Sequence, residues 1–197
     1  MEGQGILIHD GDAALRQGVV DLGFRTTNLL AANGQRLLPP LCDGAEFGIG
    51  QIVDDLVQMV SEHDTFLDID QAQNVLYAWA HKEPLPVIYN GDGEPIAEQQ
   101  IRNTIVESKD RLWSSISSFI SASWNQDGGK AGSQFQKILL GGGGPYYYKE
   151  EFQQLLGKKA VQVEYSEYSN VEGYAEFASR LETVQTDTWA TRLNLVG

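Results

Sequence analysis

Two short loops carry residue types that suit a phosphorylated ligand. Residues 21–27, Asp-Leu-Gly-Phe-Arg-Thr-Thr, turn the chain between two apolar runs, and residues 139–145, Leu-Leu-Gly-Gly-Gly-Gly-Pro, close another run with four glycines. A triphosphate with its Mg²⁺ needs several N–H donors, a carboxylate near the metal and little side-chain bulk. A hairpin turn containing glycine bends successive N–H groups toward one point and so makes an anion cradle. Asp21 ends its strand at the mouth of that turn, where a carboxylate holds Mg²⁺ through water. Gly23 leaves room for close backbone approach. Thr26 and Thr27 offer hydroxyls to phosphate oxygens, while Arg25, though able to reach a phosphate, is expected to lie in solvent.

The glycines at 141–144 cost roughly 0.5–1 kcal/mol each if held inside regular structure. They fit where a backbone turns sharply or passes close to a ligand. Placed between a strand and a helix, they aim a helix N-terminus at the site, which favours anionic groups and ribose or base edges. An ordinary hairpin turn and a flexible strand–helix loop would use the same residues, so neither loop alone specifies a ligand. No Lys-Ser or Lys-Thr follows the glycines, which excludes a P-loop, and the spacing is not that of a dinucleotide fingerprint.

The elements that must position these loops follow from periodicity. Alternation predicts strands over 17–21, 26–32 and 35–41, with Asn33-Gly34 as a two-residue hairpin turn. Ile49, Ile52, Val53, Leu56, Val57 and Val60 repeat at helical period and predict a helix over 48–62. The texture changes at residue 63. A short helix over 70–80 and a long one bearing Ile101, Ile105, Leu112, Ile116 and Phe119 predict an inserted, mostly helical subdomain at 63–133. A strand over 136–140, the glycine turn, a helix over 146–156 begun by Pro145, and a strand over 160–164 follow. Ser169-Asn170-Val171-Glu172 is a capping-box pattern opening a helix to about residue 181. Residues 1–62 and 134–181 then form one lobe, with 182–197 as a C-terminal tail.

Composition limits the function classes. The chain has 197 residues with 42% hydrophobic content, enough for a buried core. A net charge of −13 repels phosphate backbones and argues against direct nucleic-acid binding. No apolar run approaches the roughly 18 residues of a membrane span, and no secretion signal is visible, so a cytoplasmic location is expected. Cys42 is the single cysteine and has no disulfide partner within the chain. His9, His63 and His81 lack metal-ligand spacing. Trp79, Trp113 and Trp124 read as packing residues, and Asp54-Asp55 and Glu150-Glu151 as solvated helix faces. Of Tyr146, Tyr147 and Tyr148, two are expected to face core or solvent at helical spacing.

Four motifs in order resemble the actin/Hsp70/sugar-kinase superfamily, most closely the ParM-like actins of bacteria and archaea that segregate plasmids. Residues 19–28 look like that family's second phosphate loop, and residues 43–50, Asp-Gly-Ala-Glu-Phe-Gly-Ile-Gly, are similar to its entry into the next helix. Residues 138–145 resemble its adenosine loop, and residues 168–174, Tyr-Ser-Asn-Val-Glu-Gly-Tyr, its closing helix. The resemblance covers roughly residues 1–181. It implies an α/β, ribonuclease H-like actin-type lobe in the order strand-strand-strand-helix-strand-helix with the helical insert. By the same resemblance, Asp21 contacts Mg²⁺ through water, Gly23, Thr26 and Thr27 bind phosphate, and Gly141, Gly142, Gly143 and Gly48 border the adenosine. The family usually has Asp where Asn28 stands, which puts any contact of that carboxylate in doubt.

The resemblance implies the nucleotide-binding C-terminal half of a filament-forming actin-like ATPase for plasmid or DNA segregation. Such a protein uses ATP or GTP with Mg²⁺, self-associates when full-length, and engages a DNA-binding adaptor. The first phosphate loop and the group that positions attacking water lie upstream in that family, so no catalytic residue is assigned here. Turnover is expected only from the two-lobed protein. A non-catalytic actin-like scaffold or filament-capping module is the alternative. A sugar or acetate kinase half would need an acceptor pocket, for which no residue constellation is visible.

Overall fold

The computed structural model describes residues 3–34, 36–125, 128–164, 166, 168 and 170–179. Helix α1 (Gln4–Asp10) leads into strands β1 (Arg16–Leu22), β2 (Thr27–Asn33), β3 (Arg36–Leu37) and β4 (Asp43–Ala45). Helices α2 (Gly50–Ser61), α3 (Ile69–Ala80) and α4 (Glu98–Trp124) follow, then β5 (Lys137–Gly141), α5 (Lys149–Leu156) and β6 (Ala160–Gln162). Residues 170–179 are helical. The sheet runs β3-β2-β1-β5-β6, with β4 also paired to β2. β1, β2 and β3 form an antiparallel meander, whereas β5 and β6 join β1 in parallel.

Both faces of the central strands are covered, as their apolar runs require. Val20, Leu22, Leu29, Ala31, Ile138 and Leu140 point into the larger core, which takes residues from α2, α3, α4 and α5. Val19, Leu30 and Leu139, one residue out of phase, meet Ile6 of α1 and Val163 on the other face. The 63–133 segment thus shares one continuous core with the sheet and α2.

Local chemistry sets the element ends. Asp68 caps α3 by accepting from the Gln71 amide at 2.7 Å, while the Gln71 side chain accepts from the Asp68 amide at 3.2 Å, a capping box. α4 buries Ile101, Ile105, Leu112, Ile116, Ile120 and Trp124 along one stripe. The Trp124 indole donates to the Leu41 carbonyl at 2.9 Å, which fixes the far end of α4 under β2's exit.

The boundaries differ from expectation at several points. The predicted strand over 35–41 is only Arg36–Leu37, because Pro39 and Pro40 fold the chain into a 3₁₀ turn at Pro39–Leu41. Asn33 pairs with Arg36, so β2 runs into the predicted turn pair and Gly34 takes the turn. Residues 43–45 form the short strand β4 against β2, and α2 begins at Gly50 rather than residue 48. The helix predicted over 146–156 starts at Lys149. Its first residues are a 3₁₀ turn, Gly144–Tyr146, and Tyr148 leaves helical geometry to sink its ring into the core, with its hydroxyl donating to the Lys109 carbonyl at 2.9 Å. Helix α1 was not anticipated. Ser169 of the expected capping box and the tail at 182–197 lie outside the described residues.

Candidate functional site

The β1–β2 turn and the glycine loop meet because β1 and β5 are parallel neighbours. Asp21 lies opposite Gly141 across that pair, so the chain leaves both strands at the same sheet edge. Gly142 sits at φ 76, where a side chain is strained. A Cβ there would overlap the Leu22 carbonyl oxygen and stand 2.9 Å from Asp21 Oδ1. The glycine loop is therefore folded directly against the end of β1.

The turn itself is tied down from below. Gly23 N–H donates to the Thr26 carbonyl at 2.9 Å. The Gly23 and Phe24 carbonyls accept from Ile49 N–H at 3.1 Å and Gly50 N–H at 2.7 Å, which locks the turn to the start of α2. Gly48 is the close-approach point of this lock, since a Cβ on it would overlap the Gly23 carbonyl oxygen. Arg25 pairs with Asp54 at 2.6 Å on the surface and lies over the Phe24 ring.

Between turn and glycine loop opens a cleft of about 330 Å³, near the lower end of the range for small-molecule sites. Gly23 and Phe24 form one side, Gly143, Gly144 and Tyr147 the other, and Gln73, Asn74 and Tyr77 of α3 a third. Ile49, Val53 and Leu76 make an apolar floor. Burial raises the Tyr147 pKa, with lesser contributions from Tyr146 and Tyr77, so its hydroxyl stays a donor over the whole neutral range. Two amides, two phenols and open glycine backbone against an apolar floor can hold a flat polar ligand with an extended anionic arm.

The residues singled out from the sequence divide into two groups. Gly23 and Gly143 line the cleft, and no described residue lies within 4 Å of a Cβ added at Gly143. Gly141, Gly142 and Gly48 lie behind it as packing points against Ile6, Leu22 and the turn. Thr27 is fully buried, with its hydroxyl donating to the Phe47 carbonyl at 2.8 Å, so it sits beneath the turn. The Thr26 hydroxyl accepts from Asn28 Nδ2 at 3.4 Å. Asp21 is 5% exposed, and its Oδ2 accepts from Asn170 Nδ2 at 2.7 Å. Asn28 pairs with Asp21 across β1 and β2. α5 begins only at Lys149, and no residue of α5 lines the cleft among the described residues.

The α3 wall was missed from sequence. Gln73, Asn74 and Tyr77 are ordinary residues on a helical face, with no local signal; only the packing of α3 on α2 brings them to the turn. Of the three tyrosines, Tyr147 faces the cleft, Tyr148 the core, and the half-exposed Tyr146 places its hydroxyl 3.0 Å from His81 Nδ1. Among the described residues no three His, Cys, Asp or Glu side chains gather as a metal-ligand set. No helix among them is long and apolar enough to cross a membrane.

No protein-family profile and no curated protein sequence matches the chain. Solved structures do. An archaeal actin homolog, Ta0583 in complex with ADP, superposes with TM-score 0.69 at 20% identity, over 90% of this chain and 56% of that one. A ParM from a 15-stranded filament of Clostridium botulinum matches with TM-score 0.69 at 15% identity, over 91% of this chain and 52% of that one. MreB5 of Spiroplasma citri bound to ADP matches with TM-score 0.68 at 17% identity, over 93% and 60%. The chain has the actin-type fold, and it spans little more than half the length of these structures.

Proposed function

We propose that the cleft between the β1–β2 turn and the glycine loop binds a purine nucleotide, and that the chain is the nucleotide-binding part of a filament-forming actin-type ATPase. The observation that carries this reading is the shared lining by Gly23 and Gly143, two glycines on loops 120 residues apart in sequence. The ADP complexes of the Ta0583 and MreB5 structures support it by likeness of fold. In this reading residues 1–62 and 134–181 form the ribonuclease H-like lobe and 63–133 is its helical insert. DNA or plasmid segregation through a DNA-binding adaptor, in the cytoplasm, is the setting suggested by the ParM likeness.

The residues fit a nucleotide better than a resident metal. Among the described residues the buried carboxylate is Asp21, which already accepts from Asn170, so Mg²⁺ would enter with the phosphates and meet Asp21 through water. Bound there, the cation would neutralise phosphate charge. The chain's own contributions are positional: Gly23 and Gly143 keep the cleft free of side chains, Asn74 and Gln73 offer amides, and Tyr147 donates a hydroxyl. Hydrolysis, by phosphoryl transfer to water, belongs to the complete two-lobed protein.

Titration calorimetry with Mg-ATP and Mg-ADP tests this. Weak, saturable binding with negligible hydrolysis by this chain is expected. Absence of heat up to millimolar nucleotide would favour a scaffold or filament-capping role instead.

A further inference from the structure

Next to the nucleotide cleft, sharing Asn74 of α3 with it, the chain leaves large apolar side chains in water. Phe66 is 79% exposed, Val87 64% and Tyr89 56%, far above what scattered surface apolar residues need explaining for. They are not scattered. Phe66, Val87 and Tyr89 line one groove of about 310 Å³, floored by Leu67, Val75 and Ile88. Its two walls are tied together by Gly91 N–H, which donates to the His63 carbonyl at 2.9 Å, and the second wall is closed on itself by Ile96 N–H donating to the Ile88 carbonyl at 2.8 Å. The groove is thus a built feature rather than two frayed loops.

Its charge is one-sided. None of the described residues lining the groove is charged. From Asp64 to Glu94 the sequence holds six acids and one Lys, a net of −5. Asp64, Asp68, Asp70, Asp92 and Glu94 are all exposed, and none is held in an ion pair among the described residues. Lys82 stands beyond the opposite end of α3 from Asp68, across a 12-residue helix roughly 18 Å long.

We infer that this groove docks a segment of another protein in which an apolar anchor is flanked by Lys or Arg. The apolar walls supply burial, and the acidic rim supplies steering and selects the sign of the partner. The same face of a second copy is a poorer occupant, because the local acidic excess over residues 64–94 would meet itself.

The test uses the full chain and a fluorescein-labelled peptide Lys-Lys-Leu-Phe-Leu-Lys-Lys, read by fluorescence polarisation. Two control peptides replace every Lys by Glu or the Leu-Phe-Leu core by Ser. The inference predicts binding of the first peptide, with both controls weaker by about tenfold or more and affinity falling with added salt. Phe66→Ser combined with Tyr89→Ser is expected to weaken it about fivefold or more. Both side chains are largely in solvent, so the variant keeps its fold, verified by an unchanged circular dichroism spectrum and Tm. Equal binding of the Glu peptide, or indifference to the double substitution, overturns the inference. So does a sedimenting dimer that the double substitution dissolves, which would assign the face to self-assembly.

Discussion

Gly142 and Gly143 are neighbours, yet the same substitution is predicted to act on them with opposite sign. Gly142 has φ 76, where an L-residue costs roughly 1–2 kcal/mol. An added methyl would also overlap the Leu22 carbonyl oxygen, a backbone atom of the central strand that cannot swing aside, and overpacking of that kind costs roughly 1–3 kcal/mol. Gly142→Ala should therefore lose about 2–5 kcal/mol, a shift of about 4–20 °C in Tm for a chain of this size. Gly143 has φ −74 and ψ −19, ordinary right-handed helical backbone, and no described residue lies within 4 Å of an added Cβ. Gly143→Ala should leave Tm unchanged or raise it by the roughly 0.4–1 kcal/mol gained from a less flexible unfolded chain. Its methyl group would stand in the cleft, so nucleotide affinity should fall while stability does not. Thermal unfolding by circular dichroism, paired with Mg-ADP calorimetry, reads both effects. Equal destabilisation by the two substitutions would refute the loop conformation, and unchanged affinity of Gly143→Ala would detach the loop from the ligand.

Three further outcomes follow from the packing. Gly5→Ala in α1 would drive a methyl into the Asn170 carbonyl oxygen and separate the two helices whose crossing holds Asn170 on Asp21. It should destabilise the fold by roughly 1–3 kcal/mol despite alanine's better helix propensity, and a higher Tm in denaturation scans would contradict the crossing. Trp124→Ala removes a fully buried ring and its bond to the Leu41 carbonyl, with an expected loss of about 3–5 kcal/mol in urea unfolding. Tyr147→Phe should weaken nucleotide binding by the same factor at pH 7 and pH 9. The raised Tyr147 pKa keeps the phenol neutral below 10.0, and folding would lose stability from this group only as pH climbs above that value. A binding loss that disappears at pH 9 would count against it.

Much of the frame was legible in the sequence because it rests on local chemistry. β1 and β2 alternate apolar positions between two faces, α2 and α4 repeat at helical period, and the glycine run marks the one sharp exit from β5. The misses are tertiary. Pro39 and Pro40 shortened the third strand, and the pull of Tyr148 into the core displaced the start of α5 by three residues. Helix α1 is too short to show a period, and it is held by the contacts of Ile6 with the sheet. Within the site, Asp21 and Gly23 stood out by type, but the burial of Thr27 depends on Phe47, 20 residues away. The amides of α3 reach the cleft only through helix packing. A sequence displays backbone exceptions well and helical walls poorly.

The central claim is that the hairpin turn and the glycine loop face one nucleotide. An amide ¹H–¹⁵N titration of the ¹⁵N-labelled chain with Mg-ADP addresses it directly. The account predicts that Gly23, Phe24, Asn74, Gly143 and Gly144 shift together along one saturation curve, while Gly93 and Gly157, which line no part of the cleft, stay in place. Shifts confined to one loop, or to residues outside the cleft, would contradict it.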